Sequence, residues 1–175
     1  MALDVDPTTV TGRWWRHVPA GVDPLRRPSP PGDNRWQRGS ILDALYFAED
    51  EACVWAEWYR HLAEAAVPPA SALPRDLWRY EVTALEVADL SDAARLARVG
   101  LSVPRPGRRG WHPYQAVGEQ LHHDGWRGLI APSAARPTSL ALAVFIPAGA
   151  LPDDVVPIAS TQVADVPVPP TGMRT

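Results

Sequence analysis

The sequence contains no lysine, so all 17 of its basic residues are arginine. Any cation that binds a ligand is therefore a planar guanidinium, which suits two-point hydrogen bonding to phosphates and carboxylates. The formal net charge of −3 argues against nucleic acid as a direct partner. The single cysteine, Cys53, excludes an intrachain disulfide and is typical of a reducing compartment.

Several functional motifs are also missing. The chain starts without a basic and then apolar leader, and no apolar run is long enough to span a bilayer, so we expect a cytoplasmic, soluble protein with no membrane partner. There is no Gly-rich phosphate loop and no metal-ligand cluster, and we expect no metal. His122 and His123 are adjacent and point to different sides of their helix. Ser133 lacks the G-x-S-x-G elbow of hydrolases.

The remaining pattern predicts one α+β domain, with a mixed or antiparallel sheet core and flanking helices. A length of 175 residues suits a single domain, and 20 prolines predict many stiff loops. We assign residues 11–160 to the domain, 1–10 to an N-terminal extension, and 161–175 to a disordered, proline-rich tail. Alternation and apolar runs predict strands at 12–18, 41–48, 77–87, 129–130, 140–146 and 155–163. Helices are predicted at 51–66 with Asp50 as N-cap, from about 89–92 to 99, and at 114–124.

Two long loops separate these elements, at 19–34 and 100–113. The second carries Arg105, Arg108 and Arg109 among prolines and glycines, which predicts a mobile surface loop rather than a binding stripe.

Taken singly, the polar candidates all have structural interpretations. The apolar stripe of the 51–66 helix is predicted to comprise Ala52, Trp55, Ala56, Tyr59, Leu62, Ala63 and Ala66. Glu57 lies away from that stripe, near Arg60 and Glu64, so periodicity assigns it to the solvated face. A tyrosine such as Tyr46 in a strand usually packs, Arg35 suits a loop, and a serine such as Ser133 after a strand usually caps a turn.

Taken together, these residues resemble the RES domain, named for its Arg, Glu and Ser, which is the toxin half of bacterial Xre–RES toxin–antitoxin pairs. The resemblance runs from about residue 11 to residue 147. It rests on these segments, in chain order: Trp15-Arg16-His17, Asn34-Arg35-Trp36, Ala44 to Ala48, Ala56-Glu57, Gln115 to Gly118, Gly125 to Leu129, and Ala131 to Arg136.

The resemblance implies a fold related to ADP-ribosyltransferases and activity on NAD+. The implied site residues are Arg35, Tyr46, Glu57 and Ser133, with Arg16 as a further phosphate contact. Glu57 would stabilise the positive charge that develops on the ribose, and the arginines would bind the pyrophosphate. Tyr46 would pack on nicotinamide or ribose, and Ser133 would bind the ribose or fix Glu57. NAD+ would be a substrate, with no separate cofactor.

Several functions remain open at this stage. The resemblance favours NAD+ breakdown by water or by phosphate, and the alternatives are protein ADP-ribosylation and nucleotide or partner binding without turnover. The chain has no helix-turn-helix of its own, so an Xre-like antitoxin would be a separate protein, and a homodimer is compatible with the family. Because Glu57 lies off the buried stripe, Glu57→Ala should change stability by only about ±0.5 kcal/mol yet abolish activity.

Overall fold

The computed structural model describes residues 2–147 and 153–175, which contain six strands, three α-helices and two short 3-10 turns. The elements are β1 (Asp6–Pro19), β2 (Asp43–Ala48), α1 (Glu51–Ala65), β3 (Arg75–Asp89), α2 (Ala93–Arg98), α3 (Trp111–His123), β4 (Gly128–Pro132), β5 (Leu140–Ile146) and β6 (Val155–Val163). The 3-10 turns are Pro69–Ala72 and Arg108–Gly110.

The six strands form one mixed sheet in the order β1-β2-β5-β4-β3-β6. Only the β3–β4 pairing is parallel, and the others are antiparallel. β1 also pairs with β3 along most of its length, so five strands close into a ring. The shortest pairing in that ring is between β1 and β2, where only Trp15 and Ala48 are paired. The predicted α+β class with a mixed sheet is confirmed.

Alternation along the strands divides the core between the two faces of this ring. Side chains that face inward form one buried cluster, which includes Trp14, Phe47, Tyr80, Val82 and Leu142. The other face is covered by the helices, with one cluster under α3 and another under α1. The two long helices therefore share the outer face, to which β2 contributes Ala44, Tyr46 and Ala48.

Most predicted elements are confirmed, and the differences lie at their ends. β1 is longer than expected: it begins at Asp6, inside the segment set aside as an extension, because residues 6–10 pair with the second half of β3. α3 begins at Trp111 rather than at 114, since Pro113 is tolerated in the first turn of a helix. The predicted 100–113 loop therefore ends sooner.

The segment after β6 has neither helix nor strand, but it follows the protein surface. The Tyr59 hydroxyl on α1 donates to the Pro167 carbonyl, and the Arg174 N–H donates to the Ala135 carbonyl (2.6 Å). This hydrogen-bonded course differs from the disorder that the sequence predicted for the tail. The predicted domain limits, 11–160, stay a prediction. Within the described residues, no helix combines the length and apolar character needed to cross a bilayer.

Candidate functional site

The site is built around the start of α1, which follows β2 after a two-residue turn. Asp50 is the N-cap, as predicted, and its Oδ1 accepts a hydrogen bond from the Cys53 N–H (2.7 Å). Asp50 also binds the loop after β4, because it accepts from the Arg136 guanidinium (3.0 Å) and from the Ser139 hydroxyl (3.0 Å). The beginning of α1 is thereby fixed against the loop that carries Ser133.

Glu57 lies two turns into α1 and is not the solvated residue that periodicity predicted. Its side chain is only 29% exposed. Oε1 accepts from the Ser133 hydroxyl (2.6 Å) and from the Ala135 N–H (3.3 Å), and Oε2 accepts from Arg60 Nε (2.7 Å). The expectation was wrong because the 133–136 loop packs on the polar side of α1, opposite the apolar stripe, and shields Glu57 from solvent.

The first half of α1 is in fact buried on nearly all sides. Its buried residues include Cys53, Val54 and Trp58 outside the predicted stripe, whereas Ala63 and Ala66 of that stripe are exposed. Burial raises the pKa of the Cys53 thiol to about 12; the charges of Glu57 and Asp50 add to this effect, and the Ser133 hydroxyl acts against it. The thiol is therefore neutral at physiological pH, and we assign it a packing role.

Ser133 combines its predicted turn role with a contact to Glu57. It follows β4 directly, is 1% exposed, and its Oγ accepts from the backbone N–H groups of Ala135 (3.2 Å) and Arg136 (3.0 Å). With its lone pairs occupied by the turn, the hydroxyl proton is directed at the Glu57 carboxylate. Ser133 is thus a rigid donor that orients Glu57.

Arg35 is held on the outer face by α3, through residues that sequence reasoning did not assign to the site. The Gln115 amide donates to the carbonyls of Asn34 (3.0 Å) and Gln37 (3.2 Å). Gly118 packs against the Trp36 backbone so closely that a Cβ would lie 2.1 Å from its carbonyl oxygen. α3 therefore fixes the residues directly before and after Arg35, which are Asn34 and Trp36.

Arg35 is 9% exposed, and its guanidinium lies over the Tyr114 ring, 5.3 Å from the ring centroid. One nitrogen donates to the Arg105 carbonyl (2.6 Å). Burial first, and then the charge of Arg60, lower the pKa of Arg35, while Glu57 acts to raise it. The charges of Arg35 and Glu57 are thus close enough to influence each other, and Arg35 remains a cation because arginine titrates far above physiological pH.

Tyr46 lies on β2 opposite Ala143 of β5, with its ring on the helix-covered face. Its hydroxyl is buried beside the Trp36 backbone, without a well-formed hydrogen bond to any described residue. Burial raises the pKa of Tyr46, so the hydroxyl is protonated, and the nearby Arg35 is a smaller influence. A buried hydroxyl without a partner needs an explanation, and here it is a free donor within the cluster.

Arg16 is not brought to this cluster. On β1 it shares the inward face with Trp14, and its guanidinium donates to the carbonyls of Pro24 (2.6 Å) and Arg26 (2.7 Å). The outward neighbour His17 instead stacks on Trp55 of α1. Arg16 therefore anchors the 20–31 loop on the opposite side of the sheet from Glu57.

The structure thus groups Arg35, Tyr46, Glu57 and Ser133, and adds Arg60. Arg60 lies three residues after Glu57, a spacing at which helical side chains meet, so the sequence carried that signal. Among residues 2–147 and 153–175, no group of three or more potential metal ligands occurs. The fold and the site together define an α+β protein whose candidate centre combines an arginine, a glutamate and a serine on the outer face of a mixed sheet.

Comparison with known proteins agrees with this description. The chain belongs to the RES domain family, whose model matches residues 13–167. Its fold is also similar to a chain in the crystal structure of the M. tuberculosis MbcT–MbcA toxin–antitoxin complex. The TM-score is 0.75 at 21% identity, covering 90% of this chain and 86% of that one. No curated protein sequence matches significantly.

Proposed function

We propose that this protein is the toxin of a toxin–antitoxin pair and that it degrades NAD+ by cleaving the nicotinamide–ribose bond. Membership of the RES family and the similarity to a chain of a toxin–antitoxin complex support the toxin role. The observation that carries the enzymatic part is the Glu57 carboxylate, which Ser133 and Arg60 hold in a fixed orientation near Arg35.

The reaction breaks the bond between ribose C1′ and the pyridinium nitrogen. The bonding electrons leave with nicotinamide, which becomes neutral, and positive charge develops on the ribose. A carboxylate beside that carbon stabilises the charge, as in glycoside cleavage. The oxygen of water or phosphate then bonds to C1′, and water loses a proton in doing so. The products are ADP-ribose or its 1-phosphate ester.

Each clustered residue has a role in this proposal. Glu57 stabilises the developing cation, and Ser133 keeps its carboxylate oriented. Arg35 binds the pyrophosphate through its guanidinium nitrogens. Tyr46 offers a ring face and an unpaired hydroxyl to nicotinamide or ribose. NAD+ is the substrate in this scheme, and no additional cofactor is required.

The proposed partner is a separate Xre-like helix-turn-helix antitoxin that blocks access to this site. The similar solved chain comes from a toxin–antitoxin complex, which supports an antitoxin partner. A homodimer of this chain stays a prediction of the family resemblance.

The test is to follow NAD+ concentration with purified protein, with and without phosphate. We expect the wild type to consume NAD+ and Glu57→Gln, which keeps the shape but removes the charge, to lose at least about 10²-fold in kcat. Glu51→Gln is the matched control, because Glu51 is exposed on the same helix and should retain wild-type activity. Faster loss in phosphate identifies phosphorolysis, and equal loss identifies hydrolysis.

Three outcomes would contradict the proposal. Undiminished NAD+ loss by Glu57→Gln would remove Glu57 from the chemistry. No NAD+ loss by the wild type alone, but NAD+ loss with transfer of labelled ADP-ribose once a protein acceptor is added, would identify a protein ADP-ribosyltransferase instead. Binding of NAD+ without any turnover would indicate a non-catalytic domain.

A further inference from the structure

The basic loop that the sequence assigned to the surface is hydrogen-bonded to Arg35 of the candidate site and to Glu64, a neighbour of Arg60 on α1. The Arg105 carbonyl accepts from Arg35 (2.6 Å), and the Gly107 N–H donates to Glu64 Oε1 (2.9 Å). Arg108 Nε lies 3.8 Å from Glu64 Oε2. Gly107 takes φ +100°, a backbone conformation that residues with a side chain rarely adopt, so a glycine suits this approach to Glu64.

Arg60 connects this loop anchor to Glu57. Its Nε donates to Glu57 Oε2 (2.7 Å) and its Nη1 donates to Glu64 Oε1 (2.6 Å). The three side chains follow one another along α1 at spacings of three and four residues, where helical side chains are neighbours. The Arg60 side chain is only 12% exposed, so both contacts are largely shielded from solvent.

The charges of this trio are consistent with a fixed arrangement. Partial burial acts to raise the pKa of Glu64, but the hydrogen bonds from Arg60 and from Gly107 outweigh it and leave that pKa below its usual value. One guanidinium is thus shared by two carboxylates. A planar fork with separate N–H groups can span both, whereas the point charge of a lysine favours one at a time.

We propose that Arg60 is a positioning residue for Glu57, and that the relay Glu57–Arg60–Glu64 couples the orientation of Glu57 to the 105–108 loop. Because Arg60 occupies Oε2, Oε1 remains directed at Ser133 and Ala135. The catalytic meaning of this orientation rests on the proposed function. The orientation itself does not, so it can be measured separately.

The first measurement is the backbone amide of Ala135, read by NMR as its chemical shift and hydrogen-exchange rate. This N–H contacts Glu57 Oε1 (3.3 Å) and Ser133 Oγ (3.2 Å), so it reports directly on where the carboxylate lies. We expect Arg60→Gln to shift this resonance and accelerate exchange, and Arg60→Lys to restore part of the protection. Arg109→Gln, an exposed arginine of the same loop, is the matched control and should leave the amide unchanged.

The second measurement is NAD+ turnover by the same variants. A misplaced catalytic group lowers the rate more than it lowers binding, so we expect Arg60→Gln to reduce kcat by about 10²-fold with a much smaller change in KM. Arg60→Lys should recover part of kcat. Glu64→Gln, which weakens only the loop end of the relay, should change both readouts in the same direction but less.

Each outcome decides part of the proposal. If the chemical shift and the exchange rate of the Ala135 amide are the same in Arg60→Gln as in the wild type, the positioning role is overturned. A response to Arg60→Gln but none to Glu64→Gln overturns the coupling to the loop and leaves the positioning role. If Arg60→Gln does not fold, Arg60→Lys and Glu64→Gln decide the same question. If even the wild type consumes no NAD+, the proposed function fails, while the Ala135 amide still tests the orientation.

Discussion

The contacts of Glu57 make a stability prediction that differs from the one based on the sequence. As a solvated residue, Glu57 should tolerate alanine with a change of about ±0.5 kcal/mol. In the structure its carboxylate accepts from Ser133, Ala135 and Arg60. Alanine removes both acceptor oxygens and with them all three hydrogen bonds, and it leaves the hydroxyl of Ser133, a residue only 1% exposed, without its partner.

The size of the effect follows from these contacts. Hydrogen bonds to a charged group contribute about 1.5–3 kcal/mol when buried, and exposed ion pairs contribute less than about 1 kcal/mol. Glu57 is 29% exposed, and Arg60 keeps its contact with Glu64 when Glu57 is replaced. The loss in free energy of unfolding is therefore well below the sum for three fully buried hydrogen bonds. We expect Glu57→Ala to lower the free energy of unfolding by about 2–3 kcal/mol. Glu57→Gln, which keeps an acceptor for Ser133, should lower it by about 1 kcal/mol.

Urea and thermal unfolding measure this directly. For a domain of this size, about 1 kcal/mol corresponds to a Tm shift of about 2–4 °C. Glu86→Ala is a suitable control, since Glu86 is exposed on β3 and should stay within about 0.5 kcal/mol of the wild type. If Glu57→Ala were as stable as Glu86→Ala, the carboxylate would be an ordinary surface group and the hydrogen-bonded cluster would be refuted.

Two further predictions concern residues that support the site. Burial and the adjacent Arg75 lower the pKa of His17 to about 3. The unfolded chain therefore binds this proton first as pH falls, and the free energy of unfolding should drop by up to ~1.4 kcal/mol per pH unit below about pH 6.5. Urea titrations from about pH 7 to about pH 4 should show a shallower loss in His17→Gln, and equal slopes would contradict the assignment. Gly118→Ala should cost about 1–3 kcal/mol and raise KM for NAD+, because its Cβ would displace the segment that presents Arg35. Gly32→Ala, whose added Cβ would meet nothing within 4 Å, should change neither stability nor KM. If the two variants had equal effects, the role of Gly118 in fixing the Arg35 segment would be contradicted.

The sequence was most informative where a local pattern determines the structure. Asp50 was recognised as an N-cap because capping depends on neighbouring residues. The apolar run 140–146 was recognised as a central strand, and it lies between β2 and β4. The β1–β3 pairing that closes the ring was not predictable, since its register runs from Pro19 with Arg75 to Asp6 with Asp89, far apart along the chain, and leaves no local signal.

Long-range packing also explains the errors at the candidate site. Helical periodicity assigned Glu57 to solvent because the loop that covers it comes from residues 133–136, far along the chain. Alternation along β1 places Arg16 on the same face as Trp14, but a strand pattern alone does not say which face α1 covers. The family resemblance supplied the grouping of Arg35, Tyr46, Glu57 and Ser133, and the positions of their contacts required the three-dimensional structure.

The course of the chain after β6 has a practical consequence for protein production. The Arg174 N–H is bonded to the carbonyl of Ala135, two residues from Ser133. An affinity tag appended after Thr175 would therefore begin beside the candidate site and would alter the reading of any turnover assay. A tag at the other end would adjoin Asp4 and Asp6, which pair with Arg98 of α2 and not with the residues around Glu57.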